Sequence, residues 1–332
     1  MRWAGELSAS CDEARARGCA VGLVPTMGAL HAGHLSLVRR ASEECDTVVV
    51  TIFVNPTQFD DPHDLERYPR DLDSDLEALV GEGLVGEDPV GEGPVGEGAA
   101  VGEGAAVGEG AAVGEGVAVV FVPDVTEMYP EHPLPPSVTV HVTGLTDVLE
   151  GASRPGHFDG VATVVTKLFS IAGRCRAYFG EKDFQQVAVV RRIVRDLFLP
   201  VEVIACPTVR EPDGLALSSR NALLGPEDRR RAAVVNRALV VGAAAVSSGD
   251  SDPRVVSRQM RCALLSEPGV QVEYAEVIDP IDLSVPDRLS DVRGPARLVV
   301  AARIGGVRLI DNLAVTVGVP AMSSASPPGP DE

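Results

Sequence analysis

The residues best equipped for chemistry come early. Val24-Pro25-Thr26-Met27-Gly28-Ala29-Leu30-His31-Ala32-Gly33-His34-Leu35 directly follows an apolar run. Histidines three apart, such as His31 and His34, point the same way when they share a helical turn. Free amides and the dipole at a helix N-terminus favour an anion, and imidazole N–H groups add donors, so a phosphate is the natural guest. A lone histidine is usually a plain surface residue. A pair on a strand-to-helix turn with small glycines beside it reads as a ligand site beyond the strand carboxyl ends. A metal pair is the other reading, with no obvious third ligand.

Four further stretches carry reactive or ligand-holding groups. Asn55-Pro56-Thr57-Gln58 closes the second apolar run, and its two neutral amides can hold hydroxyl and carboxylate groups. Asn-Pro also begins ordinary turns. Arg154-Pro155-Gly156-His157 leads into an apolar segment, as a helix-opening turn or as ligand contacts. Gly180-Glu181-Lys182-Asp183-Phe184-Gln185-Gln186 again joins strand to helix. The chain has no Gly-x-x-x-x-Gly-Lys-Ser/Thr, so Lys182 is not a P-loop lysine. At a strand's carboxyl end it can still neutralise a triphosphate as a point charge. Leu217-Ser218-Ser219-Arg220 offers two hydroxyls and a guanidinium on a polar loop. That suits closure over phosphates, or equally a solvated connection.

These groups need a frame to hold them. Apolar runs at 20–24, 47–53, 117–122, 177–179 and 201–204 predict buried strands. Amphipathic segments at 35–41, 71–80, 161–172 and 184–197 predict helices between them. The alternation predicts an α/β fold, a Rossmann-like parallel sheet with helices on both faces. Beyond a boundary near Pro207 the character changes: one long helix over 226–246, then strands near 272–278 and 296–302. The expected organisation is a nucleotide-binding domain over 1–207 and a smaller C-terminal α/β domain over 208–320 that closes over the site. Residues 321–332 are expected to form a disordered tail.

Composition narrows the function. The chain has 332 residues, about two domains' worth. Its net charge of −19 and its 4% aromatic content argue against a nucleic-acid partner. Residues 81–116 repeat Gly-Glu-Gly units at a five- to six-residue period, too short for a solenoid and too poor in apolar surface to fold, so they read as a flexible insertion. Two G-x-G-x-x-G matches inside this insertion follow a helix rather than a strand and set Glu against phosphate; they are rejected as dinucleotide loops. The insertion is expected to enter at the amino end of strand 117–122, opposite the site. Six scattered cysteines without a Cys-x-x-Cys pair read as free thiols. With no apolar run long enough for a bilayer and no apolar leader at the start, the expectation is a soluble cytoplasmic protein without a membrane partner.

Taken together, the five motifs and the stretch Arg303-Ile304-Gly305-Gly306-Val307-Arg308-Leu309-Ile310-Asp311-Asn312 resemble the pantothenate synthetase family, pantoate–β-alanine ligases of the His-x-Gly-His nucleotidyltransferase superfamily. The similarity spans about residues 21–312. It implies an ATP-dependent, AMP-forming amide ligase that makes a pantoyl adenylate and then pantothenate, a coenzyme A precursor. It also implies Mg²⁺ and a homodimer. By motif match, Pro25, Met27, Gly28, Ala29, Leu30, His31, Ala32, Gly33 and His34 cradle ATP, with Gly180, Glu181, Lys182 and Asp183. Leu217, Ser218, Ser219 and Arg220 close over it, and Val209 lies where the family meets adenine through backbone. His34, His31, Lys182 and Arg220 carry the catalytic roles. Gln58 and Gln186 match the amides that hold pantoate, Gln58 also meeting β-alanine, and Asn55, Arg154 and His157 join them. Asp75 is the candidate magnesium ligand. The alternative within enzymes is a nucleotidyltransferase acting on another small carboxylate or phosphate acceptor.

Overall fold

Thr47-Val48-Val49-Val50-Thr51-Ile52 is a run of β-branched residues that packs well on a pleated surface but loses rotamer freedom in a helix. In the computed structural model, which describes residues 1–83 and 118–316, it forms a strand beside residues 21–26. The first elements are α1 (Ala4–Ala16), β1 (Val21–Thr26), α2 (Ala32–Glu44), β2 (Thr47–Ile52), α3 (Pro62–Arg67) and α4 (Leu72–Gly81). Next come β3 (Ala118–Phe121), α5 (Val125–Met128), α6 (Glu150–Ser153), α7 (His157–Ala172), β4 (Cys175–Gly180), α8 (Phe184–Asp196) and β5 (Val201–Cys206). The chain continues through α9 (Pro226–Arg231), α10 (Val234–Ser247), α11 (Pro253–Leu265), β6 (Gln271–Ile278), β7 (Ala296–Ile304) and β8 (Val307–Val315). Most of the Gly-Glu-Gly insertion and the predicted tail lie outside the described residues.

The chain divides into two units. One comprises Met1–Val142, Gly156–Gly180 and Val190–Cys206; the other Thr143–Pro155, Glu181–Val189 and Pro207–Glu332. The first holds a parallel sheet of order β3-β2-β1-β4-β5, as the strand–helix alternation predicted. Its two faces sort by residue parity, the period of two that a strand imposes. Val24, Val48, Val50, Val120 and Tyr178 face a core with α2 and α4. On the opposite face α1 and α7 pack together against β1, and Phe169 of α7 meets Phe179 of β4 edge-on at 6.4 Å. The order reverses between β1 and β4, the point at which an open α/β sheet binds ligands beyond its strand carboxyl ends. β3 begins on the opposite, amino side, because it runs parallel to β2.

The second unit is built on an antiparallel sheet, β6-β7-β8, backed by α10 and α11. Leu239, Met260, Leu264, Leu298 and Val300 are fully buried between sheet and helices. The single long helix expected over 226–246 is two helices. Val235 N–H bonds the Ala232 carbonyl at 3.1 Å, a three-residue step that tightens the junction between α9 and α10. No Gly or Pro marks this point in the sequence, since Ala232 and Ala233 keep right-handed helical dihedrals.

Candidate active site

After β1 the chain must leave the sheet and enter α2 within five residues. Gly28 makes the turn at φ +84°, and a Cβ there would stand 2.7 Å from Asp75 Oδ2. Ala29 follows at φ +52°, a left-handed conformation that is strained for any residue but glycine. Buried Asp75 of α4 holds that strain in place. Its Oδ2 accepts from Ala29 N–H at 3.1 Å and its Oδ1 from Leu30 N–H at 2.7 Å. Burial pushes the Asp75 carboxyl up from its ordinary value, the two amides pull it down, and Asp71 adds a smaller upward push. Sequence made Asp75 the candidate magnesium ligand; in the structure it also braces this turn, with an amide on each oxygen. Among the described residues no three His, Cys, Asp or Glu side chains gather into a metal-binding group.

His31 caps α2. Its Nδ1 accepts from Gly33 N–H at 3.1 Å, so a neutral ring carries its proton on Nε2. His34 stacks on it, with ring centroids 4.1 Å apart and planes 28° from parallel. The spacing of three thus delivers two imidazoles side by side at a helix N-terminus.

Asn55 is almost fully buried at the end of β2, and its two ends are committed in opposite senses. Oδ1 accepts from Thr57 Oγ1 and Tyr129 OH, each at 2.9 Å. Nδ2 donates to the Gly160 carbonyl at 3.2 Å and to Gln58 Oε1 at 3.1 Å. Gln58 Nε2 then points at Met27 Sδ, 2.6 Å away. His157 donates from Nδ1 to the Gln58 carbonyl at 2.7 Å, fixing the first turn of α7 to the same loop. Gly160 lets the helix come this close: a Cβ there would collide with the Thr57 carbonyl. Asn55 and His157, both expected to touch substrate, also orient Gln58 and its loop.

The remaining expected residues belong to the second unit, save Gly180, which ends β4 in the first. Glu181–Asp183 forms a 3-10 turn in which Lys182 Nζ lies 3.4 Å from Asp183 Oδ1. Asn312 of β8 donates from Nδ2 to the carbonyls of Glu181 at 2.9 Å and Lys182 at 2.8 Å. Half-buried Gln186 opens α8 beside buried Gln185, whose Oε1 accepts from Glu150 N–H at 3.0 Å. Arg154, half-buried, closes α6. The Leu217–Arg220 stretch makes local hydrogen bonds. Leu217 N–H bonds the Val209 carbonyl at 2.9 Å, and Ser218 Oγ accepts from Arg220 N–H at 3.3 Å. Arg210 at its base pairs with Asp311.

Sequence reading did not single out Asp75 as a brace, nor Tyr129, Gly160, or the residue-by-residue use of Asp311 and Asn312. Each acts through a partner tens of residues away, which periodicity does not reveal.

A parallel sheet with its order reversing at β1 and β4, and a stacked histidine pair on the turn after β1, has the form of a His-x-Gly-His nucleotidyltransferase. The comparisons make the assignment specific. The model of the pantoate-beta-alanine ligase family matches residues 1–314. A pantothenate synthetase of Rubrobacter xylanophilus is 45% identical over 305 residues, covering 91% of this chain and 93% of that protein. One from Roseiflexus castenholzii is 48% identical over 294 residues, covering 88% and 91%. The crystal structure of pantothenate synthetase from Thermus thermophilus superposes with a TM-score of 0.77 at 41% identity, covering 94% of this chain and 98% of that one. A Francisella tularensis pantoate-beta-alanine ligase, complexed with beta-gamma ATP and beta-alanine, superposes at 0.67 with 30% identity, covering 95% and 96%. The chain belongs to the pantoate–β-alanine ligase family.

Proposed function

We propose that this chain joins pantoate to β-alanine at the expense of ATP, releasing AMP and pyrophosphate. Membership of the family supports the ligase activity and ATP as its substrate. The observation that carries the site assignment is topological. β1 and β4 are neighbours at the reversal of strand order; one leads into the His31–His34 turn and the other into the Lys182 turn.

A carboxylate and an amine do not condense in neutral water, because oxide is a poor leaving group. In this reading the pantoate carboxylate attacks the α-phosphorus of ATP, the bond to the bridging oxygen breaks, and pyrophosphate departs. The deprotonated amine of β-alanine then attacks the acyl carbon of the adenylate and expels AMP. Charge grows on the α-phosphoryl group and the leaving pyrophosphate, so catalysis is positioning plus preorganised donors. His34 and the Nε2–H of His31 donate to the phosphates, and Lys182 and Arg220 supply full charges to them. Ser218 and Ser219 add hydroxyls, and the backbone of Val209 meets adenine. Gln58 presents Nε2 hydrogens to the carboxylate, orienting it without the tight ion pair that would drain its nucleophilicity; Gln186 shares that duty.

Mg²⁺ fits best as part of the nucleotide substrate. Mg²⁺ is commonly held through substrate phosphates with one or two carboxylates, and both Asp75 oxygens already serve the turn. The family resemblance implies a homodimer, which light scattering checks. Free cysteines throughout the described residues fit a reducing cytoplasm, and no described helix is long and apolar enough to cross a membrane. The decisive assay follows AMP and pyrophosphate: both should form from ATP only when pantoate and β-alanine are present together or, for exchange of pyrophosphate into ATP, with pantoate alone.

A further inference from the structure

The stretch ending in Asp311-Asn312 marks the family without an assigned duty, yet it places two polar side chains in a buried strand. Asp311 is 3% exposed and Asn312 5%. Polar groups so deep are costly unless paired, and both are paired with segments more than a hundred residues away. Arg210 donates from Nη1 to Asp311 Oδ2 at 2.6 Å and from Nη2 to Oδ1 at 3.0 Å, a two-pronged pair that fixes orientation as well as distance. Asp311 Oδ1 also accepts from Asn312 N–H at 2.7 Å. Asn312 Nδ2 bridges the carbonyls of Glu181 and Lys182, while its Oδ1 accepts from Arg297 Nη1 at 3.1 Å. Arg297 in turn lies over the Phe184 ring, 4.1 Å from its centroid.

We infer that Asp311 and Asn312 are positioning residues for adenylation: adjacent on β8, they hold in register the turn that carries Lys182 and the base of the loop that carries Ser218, Ser219 and Arg220. Successive side chains of a strand leave on opposite faces, so one rigid strand can serve two loops at once. The chemistry of each residue matches its task. Two carbonyl oxygens require two N–H donors from one atom, which an amide supplies and a carboxylate does not. A guanidinium fork requires a carboxylate. The inference rests on the proposed roles of Lys182 and Arg220 at the triphosphate.

Two half-reactions separate positioning from mere stability. Pantoate-dependent exchange of pyrophosphate into ATP reports adenylation, and β-alanine with preformed pantoyl adenylate reports the second step. Asn312→Asp keeps the shape but turns lone pairs toward the two carbonyls, and should slow exchange by roughly 10–100-fold while the second step stays within about threefold. Asp311→Asn should raise the KM for ATP more than it lowers the rate of the second step. Where Asn312→Asp does not accumulate folded, Asn312→Ala is measured in its place, with the thermal midpoint of each variant beside the kinetics. Unchanged exchange, or both half-reactions falling in parallel, overturns the inference. Lys182→Ala is the control for the underlying reading. If it leaves exchange intact, that reading fails; if it abolishes exchange while the β8 variants do not, only the positioning role fails.

Discussion

Asn55 Nδ2 donates to Gln58 Oε1 at 3.1 Å, and this bond determines which end of the Gln58 amide carries the N–H donors, the end turned toward Met27. Asn55 cannot turn over, because Oδ1 takes a hydrogen bond from Tyr129 OH and Nδ2 gives one to the Gly160 carbonyl. On the proposed reading, the Nε2 hydrogens so oriented are the donors that the pantoate carboxylate needs. Asn55→Asp removes the donor that sets this polarity and leaves a carboxylate against the Gly160 carbonyl. It should raise the KM for pantoate by about tenfold or more, with a smaller change in the KM for ATP. Steady-state kinetics with each substrate varied in turn check the split.

Asp75 is predicted to matter through the turn and not through a metal. Asp75→Asn keeps one acceptor but faces an amide N–H with an NH₂ group, leaving a donor unmatched in a buried place. A loss of roughly 1–3 kcal/mol in stability should accompany weaker ATP binding. If Asp75 instead served mainly as a ligand, raising Mg²⁺ would restore the variant; the brace predicts that it will not. Titration calorimetry with ATP across a range of Mg²⁺ concentrations distinguishes them.

Gly160→Ala should be among the most damaging single-carbon additions in the chain. The new Cβ would meet the Thr57 carbonyl and the Gln58 backbone, forcing α7 away from the loop that holds Gln58. Overpacking of this kind costs roughly 1–3 kcal/mol, and the shift should raise the KM for pantoate as well. Urea denaturation and pantoate kinetics on the same preparation test both parts.

Acid should weaken the second unit through Glu150. Burial pushes its carboxyl up, but the paired guanidinium of Arg308 and the Tyr274 hydroxyl, 2.6 Å away, outweigh burial and hold it below the usual carboxylate range. A carboxyl whose folded value is lowered adds stability above its unfolded value, near 4.3, and loses it as pH falls through the folded one. The stability gap between the native chain and Glu150→Gln should thus be constant from about pH 6 to 8 and shrink below about pH 4. Denaturant midpoints at a series of pH values give the curve; a gap that widens with acid would contradict it.

How much of this was legible in the sequence depends on the range of the interaction. The strand–helix alternation, the histidine turn after β1 and the lysine turn after β4 follow from local pattern, so five parallel strands and the strands β6 and β7 were expected where they occur, whereas β8 and the antiparallel pairing were not. Local pattern missed α1, whose buried stripe is only Leu7, Cys11 and Ala14, and ran α9 and α10 together, because the tightened step at Ala232 needs no Gly or Pro. It offered Asn55 and His157 as ligand contacts but could not show the loop contacts they make. Their partners, Gly160 and Gln58, are 105 and 99 residues away, and only the fold shows these bonds. The same holds for Asp75, which meets the histidine turn from 45 residues downstream.

The proposed function requires the histidine pair and Lys182 to act on a single triphosphate. A double-mutant cycle on pantoate-dependent pyrophosphate exchange, using His34→Ala and Lys182→Ala, tests it directly. Each variant alone should lose at least about 100-fold, and the double variant should lose far less than the product of the two, because both stabilise the same charge. Full exchange activity in either single variant, or losses that simply multiply, would contradict the account.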